Sequence, residues 1–231
     1  ARMNKQRLIR SIVAVIVLVA AVAYSTWDKT TGNRAGGSPP AIAKPGASFD
    51  YYLASLSWSP TWCEANPEDR EQCGRRGYGF ILHGLWPQHE RGSGPQDCRS
   101  KQRPDEKTIA RTLAFMPSRG LIEHEWRTHG SCSGLAPEAY FDLADRAYAS
   151  IQIPPMLTAI AKPPPMTADD LRRAFVEANP DLRADMLGVS CRGNALAEVR
   201  ICLDTDLRPR PCGRGIGMRC PRTTLRIPLI R

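Results

Sequence analysis

Eight cysteines place the tightest constraint on how this sequence can fold: Cys63, Cys73, Cys98, Cys132, Cys191, Cys202, Cys212 and Cys220. The number is even, and no two of them form a C-x-x-C pair. Tetrahedral zinc sites draw their thiolates from such close pairs, so the spacing disfavours zinc and predicts four disulfides in an exported protein. About a hundred pairings are possible, and spacing alone does not choose among them. Crowding of the last four predicts a C-terminal part pinned to itself. A chain of 231 residues can bury a core of its own, so bridges would reinforce the fold rather than create it.

The N-terminus agrees with export. Arg2, Lys5, Arg7 and Arg10 precede an apolar run from Ile12 to Ala23, and no acid interrupts them. A basic stretch, a short apolar stretch and Ala21-Val22-Ala23 match a secretory signal peptide. The run is short of the ~20 residues a membrane span needs, which leaves an uncleaved signal anchor as the rival reading of residues 1–23. Residues 24–48 are rich in Gly, Pro and Ala and read as a flexible linker. Residues 49–231 then form the folded domain, in the periplasm or outside the cell. The formal charge of +9 falls by four once residues 1–23 are set aside. That modest excess suits nucleic acid, a membrane surface or a solvated basic face equally.

Within the domain, Phe49 to Trp58 and Tyr78 to Trp86 read as strands, the second stopped by Pro87. Gly92 to Asp105 is a loop. Lys107 to Phe115 and Leu121 to His129 are predicted helices, the latter ended by Gly130. Pro137 to Ile151 carries Tyr140, Leu143, Ala144, Ala147, Tyr148 and Ile151 on one helical face. Thr167 caps a helix reaching Leu171 to Ala178. Leu196 to Leu203 alternates as a strand, and Leu225 to Leu229 is predicted as a last one. Strands at both ends with helices between predict an α+β domain, its largely antiparallel central sheet flanked by helices.

There are only four histidines, and three stand in two compact clusters. The first runs Phe80-Ile81-Leu82-His83-Gly84-Leu85-Trp86-Pro87-Gln88. The second runs His124-Glu125-Trp126-Arg127-Thr128-His129-Gly130-Ser131-Cys132. On a helix at about 100° per residue, His124, Glu125, Thr128 and His129 share an arc of about 140°, while Trp126 and Arg127 point elsewhere. One turn thus presents two imidazoles and a carboxylate to a common point. Zinc proteases use H-E-x-x-H; the extra residue here turns the second imidazole away, so a zinc hydrolase is a poor fit. His89 lies outside both clusters.

These segments resemble the two active-site motifs of the ribonuclease T2 family, H-G-L-W-P at His83 to Pro87 and H-E-W-x-K-H-G-T/S-C at His124 to Cys132. Their order and separation of about forty residues make the resemblance specific, and it extends over Phe49 to Arg231. Gln88 and the short loops look more like a bacterial member than a plant one. The family resemblance implies a ribonuclease T2-like fold reinforced by disulfides, and cleavage of RNA by transesterification without a metal or other cofactor. The 2′-hydroxyl attacks the adjacent phosphorus, the 5′-oxygen leaves, and a 2′,3′-cyclic phosphate forms. Carried over by position, His129 resembles the general base, His83 the general acid and His124 a phosphate ligand, with Glu125 supporting the transition-state charge. The resemblance also implies the bridges Cys63 with Cys73, Cys98 with Cys132, Cys191 with Cys220 and Cys202 with Cys212.

The residue types suit this chemistry in their own right. One proton must be taken from a poor nucleophile and another given to a poor leaving group, and imidazole titrates near neutral pH unaided. Each positioned acid or base contributes roughly 10²–10⁴-fold. DNA lacks the 2′-hydroxyl and is excluded as substrate. One departure stands out: the family usually has Lys where this chain has Thr128, so a transition-state cation is missing and reduced turnover is expected; Arg127 lies about 100° away around the helix, and its long side chain would bring it only part way. The other reading from that departure is a weakened RNA-binding or inhibitory protein on the same scaffold. Trp86 either stacks on a base as a substrate-binding residue or packs beneath the catalytic loop. Trp58, Trp62 and Tyr78 are further candidates for a base pocket. Ser131 is not expected to act as a nucleophile. RNA is the expected partner of a monomer, and any membrane contact would run through the N-terminal segment.

Overall fold

The computed structural model describes residues 48–74, 76–158 and 163–230. The chain divides into two units, Ala1–Ile42 and Ala43–Arg231, and all described residues belong to the second. The expected leader, and the linker except its last residue, lie outside the described residues. No helix among the described residues is long and apolar enough to cross a membrane.

Four strands form one sheet in the order β2-β1-β4-β3, with every neighbouring pair antiparallel. These are β1 (Tyr51–Trp58), β2 (Phe80–Gln88), β3 (Leu187–Arg192) and β4 (Ala195–Leu203). β1 is central and its aromatic and aliphatic side chains are buried on both faces. Tyr52, Ala54, Leu56 and Trp58 point into the main core, while Tyr51 and Leu53 pack with Cys202 on the other side. Alternate residues of a strand face opposite ways, which is why one segment serves two clusters.

Among the described residues there are six α-helices: α1 (Ser59–Ala65), α2 (Arg70–Cys73), α3 (Glu106–Thr112), α4 (Arg119–Thr128), α5 (Pro137–Ala149) and α6 (Ala168–Ala178). Their starts follow local chemistry. Asp105 accepts the Thr108 N–H, Ser118 accepts the Leu121 N–H, and α5 opens with Pro137. At α6 the Thr167 hydroxyl accepts the Asp170 N–H and the Asp170 carboxylate accepts the Thr167 N–H, a reciprocal cap. Tyr140, Phe141, Leu171 and Phe175 are buried against the sheet's core face.

Three expectations change. β2 continues through Pro87 to Gln88, because an edge strand tolerates a residue without an N–H. Leu225 to Leu229 forms no strand; Arg226 makes a single parallel bridge to Ala195, and the Pro228 carbonyl takes the Trp58 indole N–H. β3 was not predicted, although Gly193 (φ 62°) and Asn194 form the two-residue turn into β4 that signals a hairpin.

The bridges are Cys63–Cys73, Cys98–Cys132, Cys191–Cys220 and Cys202–Cys212, the pairing that the family resemblance implies. Two of them close the C-terminal part on itself, as the crowding of the last four cysteines predicts.

Candidate active site

His83 reaches the site through an irregularity in β2. Leu56 pairs with Leu82 and Ser55 with Gly84, so His83 is the extra residue of a β-bulge. A bulge shifts the alternation by one and re-aims the residues beyond it. Core positions accordingly run Phe80 and Leu82 before it and Leu85 after it. His83 and Trp86, three residues apart, thereby share the other face, with ring centroids 5.2 Å apart and edge-on. β4 is irregular in the same way. Ser190 pairs with Glu198 and Cys191 with Leu196, leaving Ala197 unpaired. Leu196, Val199 and Ile201 enter the core, and Glu198 and Arg200 turn to the face that carries His83.

α4 packs beside β2 and supplies the remaining groups. Its Ile122 and Trp126 are in the core. Glu125 is fully buried, with a side chain 1% exposed. His129 follows the last helical residue with φ −120° and ψ −51°, and is 8% exposed. This end of the helix is fastened twice. The Asp97 N–H donates to the Thr128 carbonyl at 2.8 Å, and Cys98 is bridged to Cys132. His124 is exposed at the rim. Arg127, whose place on the wheel lies away from the site and whose long side chain is expected to bring it part way, reaches back one turn, its Nη2 3.2 Å from His124 Nδ1. A guanidinium only donates, so that nitrogen accepts. Three residues along a helix are neighbours, and a side chain this long spans the angle that separates their Cβ atoms.

The groups close into a ring of contacts. Glu125 Oε2 accepts the Trp86 indole N–H at 2.7 Å, and Oε1 lies 3.5 Å from His83 Nε2. The other nitrogen of His83, Nδ1, is 2.8 Å from Glu198 Oε1. Glu198 Oε2 accepts from Arg200 Nε at 2.8 Å and Nη2 at 2.6 Å. The Arg200 guanidinium stands 5.5 Å over the Trp86 ring, which returns to Glu125. His129 lies against Trp86 from a further side, centroids 5.1 Å apart and planes 32° from parallel. Gly84 permits this closeness, because a Cβ there would stand 2.0 Å from Glu125 Oε2.

The two imidazoles are pushed in opposite directions. Desolvation works against a charge on His83, but the Glu198 hydrogen bond and the Glu125 charge outweigh it and hold the ring above its ordinary value. Burial takes His129 down to about 4, helped by the charges of His124 and His83. Glu125 is pushed up to about 7 by burial, against the pull of His83 and of the Trp86 hydrogen bond. For Glu198 burial also pushes upward, yet the His83 hydrogen bond and Arg200 reverse it and hold the carboxyl at about 2. His124 is lowered by burial and then by Arg127 and His83. Burial and neighbouring charges thus drive the proton affinities of groups in one cleft apart.

The structure therefore brings His83, Trp86, Glu125 and His129 together and sets His124 at their edge. His89 is remote from this ring and approaches Asp50 at 3.7 Å. The Ser131 hydroxyl donates to the Arg127 carbonyl. A cavity of about 460 Å³ opens beside His83 and His124, lined among others by Trp62, Gln72, Leu121 and Ser190. Trp62 is one of its exposed walls, whereas Trp58 is otherwise buried in the core and Tyr78 lines a different cavity. Sequence reasoning missed Glu198 and Arg200. Their only signal was a pair of charges two apart inside an otherwise apolar strand, which marks one face but not what that face meets. Among the described residues, no three His, Cys, Asp or Glu side chains converge as a metal site requires.

Residues 49–212 match the profile of the Ribonuclease T2 family. A ribonuclease of Aeromonas hydrophila is 48% identical over 96 residues, 42% of this chain and 43% of that protein. A probable ribonuclease of Haemophilus influenzae is 28% identical over 181 residues, 72% of this chain and 62% of its own. This chain thus spans less than two thirds of the length of either bacterial relative. Among solved structures, an RNase-related protein from Calystegia sepium superposes with a TM-score of 0.65 at 24% identity, covering 80% of this chain and 99% of the other. With a family match over most of its length and a ring of histidine, glutamate and tryptophan built from both family motifs, the chain belongs to the Ribonuclease T2 family.

Proposed function

We propose that residues 49–231 are a metal-independent endoribonuclease that cleaves RNA by transesterification. The observation that carries this reading is the placing of two imidazoles around one tryptophan, His83 held at Nδ1 by the Glu198 carboxylate and His129 buried. His129, held neutral with a pKa of about 4, takes the proton of the 2′-hydroxyl. His83, kept protonated, gives the Nε2 proton to the departing 5′-oxygen. The 2′-oxygen bonds to phosphorus as the bond to the 5′-oxygen breaks, leaving a 2′,3′-cyclic phosphate and a new 5′-hydroxyl. His124 and Arg127 stand at the rim where a phosphate oxygen would lie, and buried Glu125 steadies the proton on His83 at 3.5 Å. A donor group aimed at developing phosphorane charge in a partly dry site lowers the barrier directly.

Trp86 acts first as a strut. Its ring lies between His83, His129 and Arg200, and its N–H is committed to Glu125, which supports packing over base stacking. The cavity beside His83 and His124, with exposed Trp62 as a stacking wall, is the place for a base next to the cleaved phosphate. Four disulfides suit an oxidising compartment, which supports an enzyme of the periplasm or the exterior of the cell.

The decisive experiment is digestion of RNA in EDTA with identification of the new ends. Cyclic phosphate termini are expected. Tight binding without cleavage would replace this reading with an RNA-binding or inhibitory protein, and activity only with added metal would replace it with a metal-dependent hydrolase.

A further inference from the structure

We propose that Glu198, clamped by Arg200, is a positioning residue for His83, fixing which of its nitrogens faces substrate and keeping that ring protonated for its role as general acid. The inference rests on the transesterification reading above and adds to it two residues that neither active-site motif contains. Glu198 Oε1 sits 2.8 Å from Nδ1, so Nδ1–H is committed to the carboxylate and only Nε2–H is available to a leaving oxygen. Rotation of the imidazole would break that bond. Glu198 cannot swing away either, because Arg200 holds its second oxygen through two donors. Such paired donors give orientation as well as attraction. Both residues reach this face because the bulge at Ala197 turns them there, so the geometry is built into β4.

The surroundings of His83 are mixed in charge. β4 brings Glu198 and Arg200, and α4 brings Glu125 and His124, with His129 at the end of that helix. Asp69, and Arg192 at the end of β3, line the same cavity. Of the carboxylates, Glu198 makes the short contact, at 2.8 Å against 3.5 Å for Glu125. A fixed carboxylate at that distance favours the imidazolium, and its loss lowers an imidazole pKa by about 1–3 units.

Glu198→Gln keeps the shape and removes the charge. Two readouts are needed. The first is an NMR titration of the His83 ring nitrogens in the full protein, which requires no turnover. The expected result is a fall of at least about one unit in the His83 pKa. The second is the pH profile of kcat/KM on RNA. The alkaline limb should move to lower pH by the same amount, and kcat should fall by roughly tenfold to a hundredfold, short of the ~10²–10⁴ that a whole general acid supplies. Glu198→Asp, which keeps the charge at a longer reach, should restore part of the pKa but less of kcat. A purely structural role would lower stability and leave both the titration and the alkaline limb where they are, and that result overturns the proposal. If the parent protein does not cleave RNA, the transesterification reading falls with that observation, while the titration still decides whether Glu198 governs His83.

Discussion

Gly84→Ala is a one-methyl test of how the site is held together. A Cβ at this position would lie 2.0 Å from Glu125 Oε2, 2.3 Å from Trp86 Nε1 and 2.8 Å from Glu125 Cδ. Ordinary contact needs about 3.5 Å, so Glu125 and Trp86 must each retreat by about 1 Å or more. Neither is a free surface side chain: Glu125 is 1% exposed, and Trp86 has rings on several sides. The retreat breaks the 2.7 Å bond between them, a loss of about 1.5–3 kcal/mol for a charge-assisted bond in a buried place. Overpacking adds about 1–3 kcal/mol. In a domain of this size each kcal/mol lowers Tm by roughly 2–4 °C, so Tm should drop by about 5–25 °C. Catalysis should suffer more than stability, since moving catalytic groups by about 1 Å costs on the order of 10²-fold. Thermal unfolding by circular dichroism and kcat on RNA measure the two effects. Gly217→Ala is the control, because a Cβ there meets nothing within 4 Å. A Gly84→Ala protein with the parent's Tm and undiminished kcat would refute the idea that Glu125 and Trp86 need the missing side chain.

The same geometry has two further consequences. Activity should rise as pH climbs through about 4, where His129 loses its proton, and should fall again above the ordinary histidine range as His83 loses its own; a kcat/KM still rising at high alkaline pH contradicts the acid and base assignments. Thr128→Lys, placing the cation that the family has in the last turn of α4, should raise kcat severalfold and leave Tm nearly unchanged, whereas Arg127→Ala should lower kcat by removing the cation that now reaches His124 at 3.2 Å; no change in kcat in either variant would show that transition-state charge is met elsewhere.

Most of the secondary structure was legible because it reflects local chemistry. The predicted cap Thr167 is one in the structure, and Asp105 and Ser118, not read as caps from the sequence, close the starts of α3 and α4 in the same way, a side-chain oxygen accepting from an orphan N–H. β1 and β4 announced themselves by aromatic and alternating apolar residues. β3 was missed because it is six residues long and part of it carries small residues. The predicted strand at Leu225 to Leu229 failed because apolar character alone does not create a neighbouring ladder to join. In the site, the wheel of α4 put His124, Glu125, Thr128 and His129 on one face; the structure buries Glu125 and His129 beside Trp86 and leaves His124 exposed at the rim, where Arg127 bends back to it.

What the chain determined by itself was the inventory: cysteines in even number without metal spacing, two histidine clusters, and the helix that carries one of them. Those features depend on residues close together in sequence, where propensity, capping and periodicity act. The tertiary structure alone decided that His83 would be the bulged residue of β2, that a second bulge would turn Glu198 and Arg200 toward it across the sheet, and that Gly84 would leave just enough room for Glu125. Strand register and helix placement bring residues more than a hundred positions apart to hydrogen-bond distance, as His83 and Glu198 are. That proximity sets their protonation, since pKa depends on burial and on the charges that the fold brings near, neither of which is a property of the neighbours in sequence.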